Sequence, residues 1–477
     1  MRLTLLATLI LLPAAASAQA RSLSTADTAL IGRILLAEDR RDSADVALAE
    51  GSRHSDPRVR TIASRARGRI RDPRFAARDS LPPVAAPPSW PEPAWRLRLR
   101  ALSAKSDCNA LRIALADSAW PVRFRATDLL TTACAGDDAI ATTLREWVDA
   151  LPGDASRRRA GGVSWHAAVH AGVALARLRP TEALQRMSRL ASHRQPQVRA
   201  YAARAAAVLS DTLRLRTLAR DPDDNVKEAA VEALSKLTAY TDDDTYLAVL
   251  NGRGAQAVRA AAVALKGSPR ADVRAAASSA YTRWAALGNA SAHDVRAALL
   301  EAAGRLATED KGPPVRAELL PQAVALSLGA DIRLRVTMAS SSGGGSFVVR
   351  LRGDVAPLMA SRILALSRAR YYDGLTWQRV EHDFVIQGGS PGANEYVGLS
   401  ESTRDELGNI PHVRGTVGMS TRGHDTGDAQ WFVNLRDNLR LGRDYTVFAE
   451  VVDGIDVVDG ILEGDVISSI DEVLPVR

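Results

Sequence analysis

The chain has 477 residues, 46% of them hydrophobic and 25% charged, with a formal net charge of +7. That length exceeds the roughly 100 to 200 residues of one domain and can bury more than one core, so two or three domains are expected. The charge is uneven, because residues 331–477 hold about 15 Arg against about 21 Asp plus Glu, which leaves the basic character to the part before them.

Residues 1–20 (MRLTLLATLILLPAAASAQA) carry one Arg, an apolar run and a small-residue end, the layout of a cleavable secretory signal. Its apolar run is far shorter than the roughly 20 residues that span a bilayer, and no later stretch is long and apolar enough to do so. No cysteine lies near the cleavage region to receive a lipid. The expectation is a periplasmic or secreted protein with no membrane span. Export also argues against nucleic acid as the partner of the basic part, whose arginines read more plainly as a solvated surface.

Residues 21–71 form a short helical segment and residues 96–308 a longer one, both built on a repeat. A Val-Arg or Val-Lys pair follows a turn, and small or apolar residues recur at +4, +7 and +11. Val59/Ala63/Ala66/Ile70, Val198/Ala202/Ala205/Leu209, Val226/Ala230/Ala233/Leu237, Val273/Ala277/Ala280/Trp284 and Val295/Leu299/Ala302/Leu306 are the clearest cases. These steps fall on one helical face, giving amphipathic helices with narrow Ala-rich seams. Asp56-Pro57 and Asp221-Pro222-Asp223 supply N-cap oxygens and a first-turn proline. The pattern resembles HEAT-type repeats, which implies an all-α solenoid of stacked helix pairs. Spacing between units is irregular: Val258 to Val273 is too short for a helix pair. The arginine after each valine is expected to lie over the next repeat and pair with its turn carboxylates.

Residues 72–95, with the run LPPVAAPPSWPEP, read as a proline-rich linker or strap. Cys108 and Cys134 are the only cysteines. Cys108 opens one predicted helix and Cys134 closes the next, so a hairpin brings them to the same end; a structural disulfide and free thiols both stay open, while a redox-active pair lacks CxxC spacing. His166 and His170 stand four apart on a predicted helix, but no third ligand is near, so no metal is expected.

Residues 309–330 are a break containing Gly312-Pro313-Pro314, with Leu319 to Leu328 able to form a short helix across the boundary. From residue 331 the texture becomes alternating strands, Ile332 to Val336 and Phe347 to Leu351, around a turn with three glycines. Phosphate cradling by that turn is rejected, since no GxxxxGK[ST] spacing follows. Residues 354–370 read as one helix with Pro357 in its first turn.

The run YYDGLTWQRVEHDFVIQGGSP, then RGTVGMSTRGHDTGDAQWFVN, then LGRDYTVFAEVVDGIDVVDGI, resembles the three ordered signatures of the cyclophilins. The resemblance covers residues 331–477 and implies an all-β, eight-stranded antiparallel barrel with two capping helices, hence a multidomain chain of solenoid followed by barrel. It also implies peptidyl-prolyl cis-trans isomerase activity without a cofactor. By position in the motifs, Arg379 matches the family's catalytic arginine and Gln387 the side chain that orients it and holds the substrate backbone. Phe384, Met419 and Phe432 match the proline pocket, although Phe and Met also serve as barrel core. Ser420 and Thr421 match a backbone contact to substrate, Gln430 a polar wall, and Leu441 and Tyr445 the far wall. Gln378 and Tyr445 occupy positions often held by His. Arg440 falls where many eukaryotic members have Trp, which puts cyclosporin sensitivity in doubt.

The chemistry fits. An X-Pro bond turns over tens to hundreds of seconds against a resonance barrier of ~18–20 kcal/mol. A guanidinium that binds the twisted amide better than either planar form lowers that barrier with no proton transfer. The expected substrates are proline-containing polypeptides, with clients or a protein partner on the repeats. The alternative is a non-catalytic scaffold that uses the same groove and the solenoid. An enzyme unrelated to proline is the weakest reading, because the helical part shows no catalytic cluster.

Overall fold

The computed structural model describes residues 22–74, 81–153, 163–311 and 321–473. The signal read over residues 1–20 lies outside these, as do residues 312–320 of the expected break.

The first piece is a three-helix unit, α1 (Thr25–Arg40), α2 (Val46–Ser52) and α3 (Pro57–Arg71). Ser24 and Asp56 cap α1 and α3 through side-chain oxygens, as expected before a helix start. Ile31, Ile34 and Leu35 of α1 close over Val59, Ala63 and Ala66 of α3, all fully buried.

The main array comprises α4 (Ala94–Ala101), α5 (Cys108–Ala114), α6 (Trp120–Leu129), α7 (Asp138–Asp149), α8 (His166–Leu178), α9 (Pro180–Ala191), α10 (Pro196–Val208), α11 (Thr212–Leu218), α12 (Asp224–Thr238), α13 (Asp243–Leu250), α14 (Ala255–Leu265), α15 (Ala271–Ala286) and α16 (His293–Ala302). From α8 onward the helices alternate between two layers: α8, α10, α12, α14 and α16 stack in one row, with α9, α11, α13 and α15 behind. This layering explains the irregular spacing. Val198, Val226, Val258 and Val295 lie in the front row, whereas Val273 opens a helix of the back row, so its short distance from Val258 is one helix and a turn.

The seams are buried at their first three positions almost throughout, because alanine lets helix backbones approach closely. Two expected fourth positions fail: Leu237 is 41% and Leu306 70% exposed. Leu306 lies beyond the end of α16, so helical periodicity no longer aims it inward. The arginine after the valine behaves as expected in Arg199, which grips Asp221 of the next turn at 2.7 and 2.8 Å. Cys108 and Cys134 are joined in a disulfide, with Cα atoms 5.5 Å apart. His166 bonds the Glu463 carbonyl through Nε2 and His170 the Asp128 carboxylate through Nδ1.

The third part carries α17 (Pro321–Ser327), β1 (Arg333–Met338), β2 (Ser346–Leu351), α18 (Pro357–Arg368), β3 (Arg379–Val380), β4 (Val385–Gly388), β5 (Thr416–Met419), β6 (Trp431–Asn434), β7 (Val447–Asp453), α19 (Ile455–Asp459) and β8 (Ile467–Val473). The eight strands pair antiparallel in the order β3-β4-β6-β5-β7-β2-β1-β8. Residues 374–377 and 464–467 then join the two edges, with Gly374 N to Ile467 O at 2.8 Å and Trp377 N to Asp465 O at 2.9 Å. The expected barrel and its first capping helix are present. That helix is shorter than residues 354–370, because Arg352 holds the Asp354 carboxylate outside it. Its free N–H groups at Leu358 and Met359 are instead taken by the distant Glu406 carboxylate.

The barrel is embedded in the helices. Buried Arg65 and Arg69 of α3 share Glu38 and reach the carbonyls of Asp354, Val355 and Leu407. Residues 81–93, expected as linker or strap, lie on the barrel: Trp90 donates to the Val451 carbonyl, and Arg352 to that of Ala85. Short helix α17 bridges the parts, with Ala323 in the three-helix core and Leu326 in the barrel core.

Candidate active site

The strands that carry the site are fixed by alternation. In β4, β5 and β6 the residues Ile386, Val417 and Val433 point into the barrel core. Their neighbours therefore face outward. Register aligns Arg379 with Gln387, Gln387 with Phe432, and Phe432 with Gly418, one row across four strands. Side chains directly opposite in antiparallel strands share a face. The row thus sets a guanidinium, an amide and an aromatic ring side by side on the outer surface. Gly418 completes it by absence: a Cβ there would stand 2.4 Å from Phe432 Cζ, so the ring lies against bare backbone.

Phe432, Val385 and Leu441 form a small buried apolar cluster, flanked by half-buried Phe384 and Tyr445. Tyr445 meets the Phe432 ring edge-on at 5.7 Å, and His412 stacks on it at 5.8 Å. His412 is fixed by the Tyr445 carbonyl and Asn434, and burial pushes its pKa down to about 4, leaving the ring neutral near pH 7. Arg379 keeps 41% of its side chain exposed; its nearest carboxylate, Glu381, is 3.8 Å away. The Arg379 and Arg440 guanidinium carbons lie 5.9 and 5.0 Å from the centre of the Phe384 ring. The arrangement is an apolar slot with a solvent-facing guanidinium at its edge and, among the described residues, no nucleophile or acid–base pair beside it.

The profile of the family described as "Cyclophilin type peptidyl-prolyl cis-trans isomerase/CLD" matches residues 335–475. A "Peptidyl-prolyl cis-trans isomerase" of Helicobacter pylori is 33% identical over 130 residues, 26% of this chain and 80% of that protein. "Peptidyl-prolyl cis-trans isomerase B" of Escherichia coli is 36% identical over 129 residues, 24% of this chain and 78% of that protein. The Bacillus subtilis protein of that name is 30% identical over 129 residues, 27% of this chain and 90% of its own length. The chain belongs to the cyclophilin-type peptidyl-prolyl isomerases.

Within this cyclophilin domain the structure brings together Arg379, Phe384, Gln387, Gln430, Phe432, Leu441 and Tyr445. Ser420 follows directly at the end of β5, where its N–H donates to the Gln430 carbonyl, and Thr421 is next in the chain. Met419, expected on the pocket wall, belongs elsewhere: it is fully buried in the barrel core. The reason is the period of two, which turns Gly418 outward and Met419 inward. Val385 takes the wall position that sequence reasoning missed, and the same alternation in Val385-Ile386-Gln387 was the available signal. Gln387 also departs from expectation. Its amide reaches Gln430 Oε1 at 3.5 Å instead of Arg379, and Gln378 donates to the same oxygen at 3.0 Å. Gln430 in turn donates to the carbonyls of Glu395 and Val397, so three glutamines brace the polar side of the groove.

Residues 381–384, which join β3 to β4, are held by the helical array. Arg96 of α4 has no exposed surface and donates to the carbonyls of His382 and Leu435, both at 2.8 Å, and to Asp459 at 3.0 Å. Arg100 pairs with Asp383 at 3.0 Å. His382 sits against Trp95 and Phe124, and that enclosure pushes its pKa down to about 3.

Proposed function

We propose that the domain isomerises X-Pro bonds of exported polypeptides, with Arg379 as the catalytic residue and the HEAT-like repeats as a surface for clients or a partner. The observation that carries the reading is the row Arg379–Gln387–Phe432 beside the Val385/Leu441 slot. The slot takes the prolyl ring by apolar contact. Twisting the amide puts a lone pair on the prolyl nitrogen, and a guanidinium at the slot's edge donates to it more strongly than to either planar form. Arginine suits the task, being charged at all working pH and planar. Gln387 supplies an amide group along the substrate backbone, and Gln430 braces it from behind. Export is supported by the first 20 residues, and the disulfide fits an oxidising compartment.

The test is refolding of an unfolded secreted protein whose slow phase is proline-limited, followed with and without the full-length protein. Arg379→Ala should abolish the acceleration, while Arg379→Lys, which keeps charge but lacks the planar fork, should retain a small part of it. Acceleration undiminished in Arg379→Ala would favour the scaffold reading.

A further inference from the structure

A cleft of about 970 Å³ runs between the cyclophilin domain and the helical array, and Gln378 and Arg379 lie on its barrel wall beside residues 391–396. Its other wall is helical. Gln197, Tyr201, Arg204 and Val208 face it from α10, and Asn225, Glu228, Glu232 and Lys236 from α12. Steps of three and four make each set one continuous stripe, so two neighbouring helices of the front row present parallel ridges to the groove. Part of this wall serves the array itself, since Tyr201 is buried in its core and Glu228 and Glu232 pair with Arg259 of α14 at 3.1 Å, but Val208 is 40% exposed and Glu232 and Lys236 are exposed along the cleft.

The two walls are tied at their base. Asn225 donates to the Gly392 carbonyl at 3.0 Å and accepts from Asn394 at 3.1 Å. The Tyr201 hydroxyl donates to Glu463 at 3.0 Å, and Arg259 lies 4.2 Å over the Tyr396 ring. The cleft is therefore built into the packing of the two parts. Gln378, next to Arg379, donates to Gln430 at 3.0 Å, which fixes the barrel wall of the cleft beside the guanidinium.

We infer that the α10–α12 face is the second wall of the substrate groove and holds an extended stretch of the polypeptide that flanks the X-Pro bond. The inference rests on the isomerase reading for what lies at Arg379. The slot for the prolyl ring is on the Phe384/Phe432 side of Arg379, so a chain seated there leaves past Gln378 into the cleft. From Asn225 to Lys236 the α12 stripe rises about 16 Å. An extended chain advances ~3.3 Å per residue, so the wall accommodates about five residues beyond the reacting bond. A tetrapeptide is too short to use it. An unfolded chain fits, and the Gln197 amide on the helical wall serves its backbone whatever its sequence.

The experiment uses the full-length protein with Glu232→Trp and Lys236→Glu, two exposed positions on the stripe, and Leu287→Trp as a control at a site outside the cleft. Two probes share one X-Pro centre: a tetrapeptide and an unstructured dodecapeptide. The wild-type ratio of kcat/KM, dodecapeptide over tetrapeptide, should fall about tenfold in Glu232→Trp, and dodecapeptide affinity by fluorescence anisotropy should weaken by a similar factor. Lys236→Glu should shift both in the same direction, and the control neither. Unchanged ratio and affinity in both stripe variants would overturn the inference. Failure of the wild type to turn over the tetrapeptide would count against the isomerase reading alone, because anisotropy still decides the wall.

Discussion

Arg96→Met removes a buried clamp between the array and the hairpin that carries Arg379 and Phe384. Three acceptors lose a partner, but not equally. Leu435 O and Asp459 keep the guanidinium of Arg414, which reaches them at 3.0, 2.9 and 2.7 Å, whereas among the described residues no such replacement reaches the His382 carbonyl. A lost charge-assisted hydrogen bond to a buried carbonyl costs ~1.5–3 kcal/mol, and methionine of similar length preserves the packing, so the expected destabilisation is ~2–3 kcal/mol. That is less than the ~3–5 kcal/mol for stripping a buried charge of its only partner, because Asp459 is not left alone. Catalysis should suffer more than stability. The connection 381–384 sets Arg379 and Phe384 at its two ends, and a displacement of ~1 Å at such a site costs up to ~100-fold. Tetrapeptide isomerisation by the full-length variant should fall at least ~tenfold in kcat/KM, with urea unfolding reporting the smaller stability loss. Wild-type turnover in a variant that shows the stability loss would refute the idea that the array positions the hairpin.

Gly415 has φ +87°, and a Cβ there would stand 2.6 Å from the Trp90 ring, so Gly415→Ala should lift the strap off the barrel. Overpacking together with left-handed backbone strain should cost ~2–4 kcal/mol, read as a lower thermal midpoint; an unchanged midpoint would show that the strap yields freely. His412 is held neutral by burial, with its pKa lowered to about 4 from the usual 6.5. The unfolded chain then binds the extra proton, so this contribution is fully present above about pH 6.5 and is lost as pH falls toward 4. Between pH 7 and pH 5 the loss should be ~2 kcal/mol, and the pH dependence of the urea midpoint should flatten in His412→Gln. The bond between Cys108 and Cys134, 26 residues apart, should contribute about 3–4 kcal/mol through the unfolded chain. Replacing both by Ala should lower the unfolding free energy by that amount; no difference between oxidised and reduced wild type would contradict it.

Periodicity made the helices legible. Val198, Ala202 and Ala205 declare a buried stripe in any window that contains them, and the cyclophilin motifs are contiguous runs whose spacing survives without a structure. Met419 shows where residue type misleads, since an apolar residue beside Gly418 suits either face and only strand register decides between them. The contacts between the parts were out of reach. Arg96 meets His382 across 286 positions, and Tyr201 meets Glu463 across 262. Nothing local marks either residue, since an arginine destined for full burial looks in sequence like any solvated arginine on a helix. The proline-rich run was readable as extended, but its seat on the barrel depends on Trp90 finding the bare backbone at Gly415.

The most direct measurement is exchange spectroscopy by NMR on an X-Pro tetrapeptide, with catalytic amounts of the full-length protein, comparing wild type with Arg379→Ala. The account predicts exchange between cis and trans peaks with the wild type, against tens to hundreds of seconds uncatalysed, and a loss of at least ~100-fold in the variant. Equal exchange by wild type and variant, or none by a folded wild type, would contradict it.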